Sequence, residues 1–177
     1  NDNTHGAELW SSNGTATGTQ MVKEINPTSD YNPPISLYPW NDLLYFAAYD
    51  GGAQHGGHGY ELWRSDGTAT GTWMVSDLNT GTGSSIWMGQ SPWFSVFGSY
   101  MYFTAYDAQY NMRLYKTDGT AGGTQPVFTP SDPRRSNPRQ VTAVNNTIFY
   151  TDDMALWKTD GTEAGTTLVR NFSTGGY

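Results

Sequence analysis

Along residues 35–49 the apolar positions fall in two short runs, I-S-L-Y-P-W (Ile35–Trp40) and L-L-Y-F-A-A-Y (Leu43–Tyr49). They are parted by the two-residue pair Asn41-Asp42. Aromatic and β-branched runs joined by two turn-forming residues predict an antiparallel hairpin. Corresponding turn pairs stand at Gly98-Ser99 and Asn145-Asn146. A third predicted strand carries Glu-Leu-Trp, and a fourth carries the apolar pairs Met21-Val22, Met74-Val75, Pro126-Val127 and Leu168-Val169. Alternation along these runs is only partial, which predicts sheets packed on both faces.

The pattern repeats. Residues 8–19 read ELWSSNGTATGT and residues 61–72 read ELWRSDGTATGT, with ten of twelve positions identical. A third copy runs from Arg113-Leu114-Tyr115 to Gly123-Thr124, and a fourth from Ala155-Leu156-Trp157 to Gly165-Thr166. The marker aromatics Trp10, Trp63, Tyr115 and Trp157 are 53, 52 and 42 residues apart. Between the third and fourth strands lies Asn13-Gly14, Asp66-Gly67, Asp118-Gly119 or Asp160-Gly161, each followed by Thr. Asp or Asn folds onto the backbone two residues on, Gly takes a positive φ, and Thr adds a local hydrogen bond. The element therefore reads as a structural turn, since Asn13 stands where an essential catalytic carboxylate would be required. The second glycine of the motif (Gly18, Gly71, Gly123, Gly165) is expected to supply another positive φ or room for a neighbouring repeat.

Four antiparallel strands repeating every 40 to 50 residues predict an all-β chain of β-propeller-like blades, with an open solenoid as the alternative. The expected division of residues 1–177 is one repeat domain: a half repeat at 1–27, repeats at 28–79, 80–130 and 131–172, and a linker at 173–177. About 3.5 repeats leave a half unit at Asn1. The expectation is a piece of a longer protein, or one whose ends are completed by another copy of itself, because open blade faces and edges are a liability.

Composition narrows the partners. Nine basic against 16 acidic side chains give a net charge of −7, which disfavours nucleic acid and anionic membranes. No run of about 18 apolar residues occurs, so no membrane-inserted helix is expected. With no cysteine, disulfides and thiolate metal sites are excluded.

Over nearly its whole length the chain resembles the ELWxxDGT repeat family. The likeness is carried by Leu44-Tyr45-Phe46-Ala47-Ala48-Tyr49-Asp50-Gly51, His58-Gly59-Tyr60-Glu61-Leu62-Trp63 and Val75-Ser76-Asp77-Leu78. The resemblance implies a secreted or surface-attached bacterial protein with propeller-like sheets. Arg113 and Ala155 depart from it at the Glu position, which argues against an essential role for that residue.

Candidate sites are few. His55 and His58 with Asp50 have no specific metal-binding spacing, and His5 matches His58 in repeat position, so the His-Gly reads as loop architecture. Calcium is a possible cofactor through isolated pairs such as Asp152-Asp153. No nucleophile elbow, zinc-protease or phosphate-loop motif occurs, and no enzyme is expected. The loop aromatics Tyr31, Trp87 and Tyr110 are the candidate ligand-binding residues, suited to stacking on sugar rings. Asn13, Asn145 and Asn171 open sequons that a eukaryotic secretory host could glycosylate. The expected function is a non-catalytic extracellular structural or adhesive module binding copies of itself or other proteins. A lectin-like carbohydrate-binding module is the alternative, and a secreted hydrolase domain a more remote one.

Overall fold

The computed structural model describes residues 4–28, 31–87, 89, 94–128 and 137–172. The expected linker at 173–177 lies outside them. Fourteen strands are present among the described residues. Strands β1 (Leu9–Ser12) and β2 (Thr19–Lys23) form a two-stranded sheet. Strands β3 (Ile35–Trp40), β4 (Leu43–Tyr49), β5 (Tyr60–Ser65) and β6 (Trp73–Ser76) form a four-stranded antiparallel sheet in chain order. So do β7 (Ser95–Phe97), β8 (Tyr100–Tyr106), β9 (Met112–Thr117) and β10 (Gln125–Pro126), and again β11 (Arg139–Val144), β12 (Thr147–Thr151), β13 (Ala155–Thr159) and β14 (Thr167–Asn171). The chain divides into two compact units, Asn1–Gln90 and Ser91–Tyr177, each holding two of these sheets.

The hairpin turns form where the sequence places them. Asn41 and Asp42 have φ of 50° and 59°, and Gly98 and Asn145 have φ of 61° and 52°, the left-handed conformation whose twist matches that of the flanking strands.

The inner strands are buried on both faces, as in β5, where five of six residues are inaccessible. In the first unit Leu9 and Val22 pack with Phe46, Ala48 and Trp63 of the next sheet, with Leu44 and Met74 alongside. In the second unit Leu114 and Val127, with Tyr102 and Phe128, pack with Ile148, Tyr150, Ala155 and Trp157. The interface is built alike in both. A Leu–Val face of one sheet meets an aromatic face, centred on a Trp, of the sheet that follows.

A β-bulge aims that valine. Leu9 pairs with Lys23 and Trp10 with Met21, so Val22 is the extra residue of β2. The same shift leaves Val75 extra in β6 and Val169 extra in β14. One added residue turns the side chain from the Trp side to the Leu side. Nothing in the apolar pattern announces it, because Met-Val and Leu-Val read as ordinary strand.

The Asp-Gly-Thr turn is the closed network its residues predict. Asp66 Oδ1 accepts the Thr68 amide at 2.9 Å and the Thr68 hydroxyl at 2.7 Å. Thr68 Oγ1 in turn accepts the Gly71 amide at 2.9 Å, and the Thr72 hydroxyl donates to the Thr68 carbonyl at 2.6 Å. The same bonds recur around Asn13, Asp118 and Asp160. Gly14, Gly67, Gly119 and Gly161 take φ near +90°, as expected. The second glycine differs from expectation. Gly18, Gly71, Gly123 and Gly165 are not among the positive-φ residues, and a Cβ there would fall on the Asn or Asp side chain of the same turn. Room for the turn's own acceptor, not for a neighbouring repeat, requires that glycine.

Gly161 carries an extra constraint, because the Tyr102 hydroxyl lies against it. Gly161→Ala is therefore expected to cost about 2–4 kcal/mol, strain and collision combined. Gly14→Ala, with open space around the same φ, is expected to cost about 1 kcal/mol. Urea unfolding of the two variants measures the difference.

Candidate functional site

The acidic residues of the repeat are positioned by the ends of the second and third strands of each sheet. Asp50, just after β4, accepts the His58 and Gly59 amides through Oδ1 at 2.6 and 3.0 Å, and its Oδ2 lies 2.7 Å from His58 Nδ1. The carboxylate holds the His58 imidazole pKa above its ordinary value, against a smaller pull from burial. Asp107, in the same repeat position, accepts the Gln109 and Asn111 amides at 2.9 Å and pairs with Arg113 Nε at 3.1 Å. Asp152 accepts the Met154 and Ala155 amides and the Trp157 indole N–H at 2.7 Å. In all three sheets this carboxylate ties the loop between the second and third strands, and only its second oxygen changes partner: His58, Arg113 or Trp157.

The Glu of Glu-Leu-Trp has an equally structural setting. Glu8 accepts the amides of Ile25 and Asn26 at 3.0 and 2.8 Å. Glu61, fully buried, accepts Leu78 N–H at 3.1 Å and, at 2.9 and 2.5 Å, the amide and hydroxyl of Ser85. Each therefore fastens the segment that leaves its own fourth strand. Burial pushes the Glu61 carboxyl up to about 8 despite these three donors, and burial also raises Glu8. Where Arg113 replaces Glu, the side chain turns to Asp107 instead.

Of the residues singled out for metal, Asp50, His58 and Asp152 are engaged within the fold, whereas His55 is exposed. Asp153 lies beside Asn137 Nδ2 at 3.1 Å and Arg139 at 3.6 Å. Among the described residues no three His, Cys, Asp or Glu side chains gather as a metal-binding group. No helix among them is long and apolar enough to cross a membrane.

The candidate sugar-stacking rings are all exposed, with Tyr31 at 70%, Trp87 at 49% and Tyr110 at 58%. Tyr110 sits at the tip of the β8–β9 turn with φ 58°, its amide donating to the Asp107 carbonyl at 2.8 Å. Of the sequon residues, Asn13 has its Oδ1 committed to Thr15, Asn145 is an exposed hairpin residue, and Asn171 ends β14.

Sequence reasoning expected open blade faces but named no residue on them. In the last sheet Val169 is 45% exposed and Leu156 half-buried, and Trp10 of the first sheet is 39% exposed where Trp63 and Trp157 are 8%. The repeat carries no signal for it, because Trp10 and Trp63 are the same residue in the same motif.

No protein-family model matches the chain, and no curated protein does. Among solved structures, one titled as a crystal structure of a nidogen/laminin complex is similar over 90% of this chain, at a TM-score of 0.48 and 14% sequence identity. The chain spans 54% of the length of that structure's chain.

Proposed function

We propose that the chain is a non-catalytic structural or adhesive repeat module of an extracellular protein, with blades of the β-propeller type as in the ELWxxDGT repeat family. It works by presenting sheet faces to other proteins. The observation that carries this reading is the use of the repeat's polar residues. Asp50, Asp107, Asp152, Glu8 and Glu61, and the turn residues Asn13, Asp66, Asp118 and Asp160, are all spent on the chain's own backbone or neighbouring side chains. The exposed apolar side chains of the first and last sheets remain for contact.

A lectin-like reading is favoured by the exposure of Tyr31, Trp87 and Tyr110. Two measurements on the same protein separate the readings: a glycan array, and capture of the free chain by the immobilised chain. Silence on the array with capture of the chain is expected. Glycan signals that disappear in Trp87→Ala or Tyr110→Ala, with no capture, would replace assembly by carbohydrate binding.

A further inference from the structure

The outward face of the last sheet repeats a surface that is covered in the other three. At the Leu position of the repeat, Leu9, Leu62 and Leu114 are at most 7% exposed, and at the Val position Val22, Val75 and Val127 are at most 7% exposed. In the last sheet the same positions are Leu156, half-buried, and Val169, 45% exposed. Phe149 stands one strand over, in the register of the buried Tyr102, and is half-buried. Exposed Lys158 holds the position of Lys116, which donates to the Gly161 carbonyl of the following sheet at 2.9 Å.

What covers such a face is visible within each unit. Leu9 and Val22 take Trp63 and Met74, while Leu114 and Val127 take Trp157. The complementary surface also stands open once in the chain, on the first sheet. Trp10 is 39% exposed against 8% for Trp63 and Trp157, and Met21 beside it holds the place of Met74. Ser12 and Thr19 flank that ring and are exposed, although their counterparts Ser65 and Thr72, and Thr159 and Thr166, are buried.

From these two faces we infer that the chain associates head to tail with a second copy of itself, the Phe149–Leu156–Val169 face of one copy receiving the Trp10–Met21 face of the next. Lys158 then donates to a carbonyl of the Asn13-Gly14-Thr15 turn, as Lys116 does one repeat earlier. The contact continues the stacking already built inside each unit and adds no new chemistry. Being heterologous, it leaves one face of each kind free at the ends of every open oligomer, so association continues until it closes into a ring or runs on as a filament.

The inference rests on reading the chain as an assembly module and sharpens it to a particular pair of faces. Sedimentation velocity over a concentration series tests it. The wild-type weight-average mass is expected to rise with concentration. Val169→Glu and Trp10→Glu are each expected to weaken association on the order of tenfold or more, because each sets an unpaired charge in an apolar contact. Near-ultraviolet circular dichroism checks that both remain folded; Lys158→Glu serves in place of Val169→Glu, and Met21→Glu in place of Trp10→Glu, should either not fold. An equimolar mixture of the two variants keeps one intact pair of faces and is expected to give a 1:1 dimer that grows no further. Variants that assemble like wild type, or a mixture that stays monomeric while wild type assembles, would overturn the head-to-tail contact and leave the assembly reading standing. A wild-type chain that stays monomeric at every concentration would overturn both.

Discussion

Leu114→Ala is expected to destabilise the chain by about 2–5 kcal/mol, whereas Leu156→Ala, the same substitution one repeat later, is expected to cost about 1 kcal/mol or less. Leu114 is fully buried in a cluster with Val127, Ile148, Tyr150 and Trp157. Its truncation leaves a cavity between two sheets that rigid strands cannot collapse to fill. Leu156 occupies the identical register but lies half-buried on the outward face of its sheet. Because chemistry, strand position and local partner motif are alike, the difference isolates packing between sheets from folding of the single sheet. Urea denaturation of the two variants under one condition reads it directly, and equal costs would show that the leucine acts within its own sheet.

The second large effect is centred on Glu61. Removing the carboxyl in Glu61→Ala leaves Leu78 N–H without its acceptor and the Ser85 donors with only the Tyr60 carbonyl. The expected loss is about 2–4 kcal/mol, from one orphaned, partly buried donor and the cavity together. Glu61→Gln retains an acceptor oxygen and separates the charge from the hydrogen bonds. The folded-state carboxyl titrates at about 8, raised from the ordinary glutamate value chiefly by burial. A group raised in this way stabilises the fold fully below its unfolded pKa, and that stability is lost as the pH rises through the folded value. The melting temperature of the wild-type chain is therefore expected to fall between roughly pH 5 and roughly pH 9, with Glu61→Gln showing a shallower slope. Glu8, raised in the same direction, keeps the slope from vanishing. An identical slope in Glu61→Gln would remove Glu61 as its source.

The strands and turns were legible in the sequence because local chemistry dictates them. Leu43–Tyr49 is a strand by its aromatic and aliphatic run, Asn41-Asp42 reverses the chain by accepting positive φ, and Asp66-Gly67-Thr68 closes on itself through bonds spanning a few residues. The roles of Glu61 and Asp50 were not legible, because most of their partners are backbone amides, 17 or more residues away for Glu61 and across a glycine-rich loop for Asp50. Backbone donors have no residue type and leave no mark on a sequence. Replacement of that Glu by Arg113 and Ala155 argued against an essential role for the residue, yet it concealed a clamp that Glu8 and Glu61 make in the first two sheets. The loop aromatics Tyr31, Trp87 and Tyr110 are exposed, while the open Trp10 was hidden by its likeness to three buried counterparts.

The extra valine in the fourth strand bears on how this surface avoids uncontrolled aggregation. In the sheets β3–β6 and β11–β14 both outer strands carry an irregularity, near Ser36 and Val75 in one and near Gln140 and Val169 in the other. Ser36 and Gln140 are themselves in the left-handed region, at φ 57° and 52°. A kinked border offers an incoming strand no continuous row of amide and carbonyl groups, so amyloid-like templating along the ribbon is interrupted on each side. The same bulge that points Val169 outward as a sticky side chain thus spoils the adjoining backbone as a seed for fibrils.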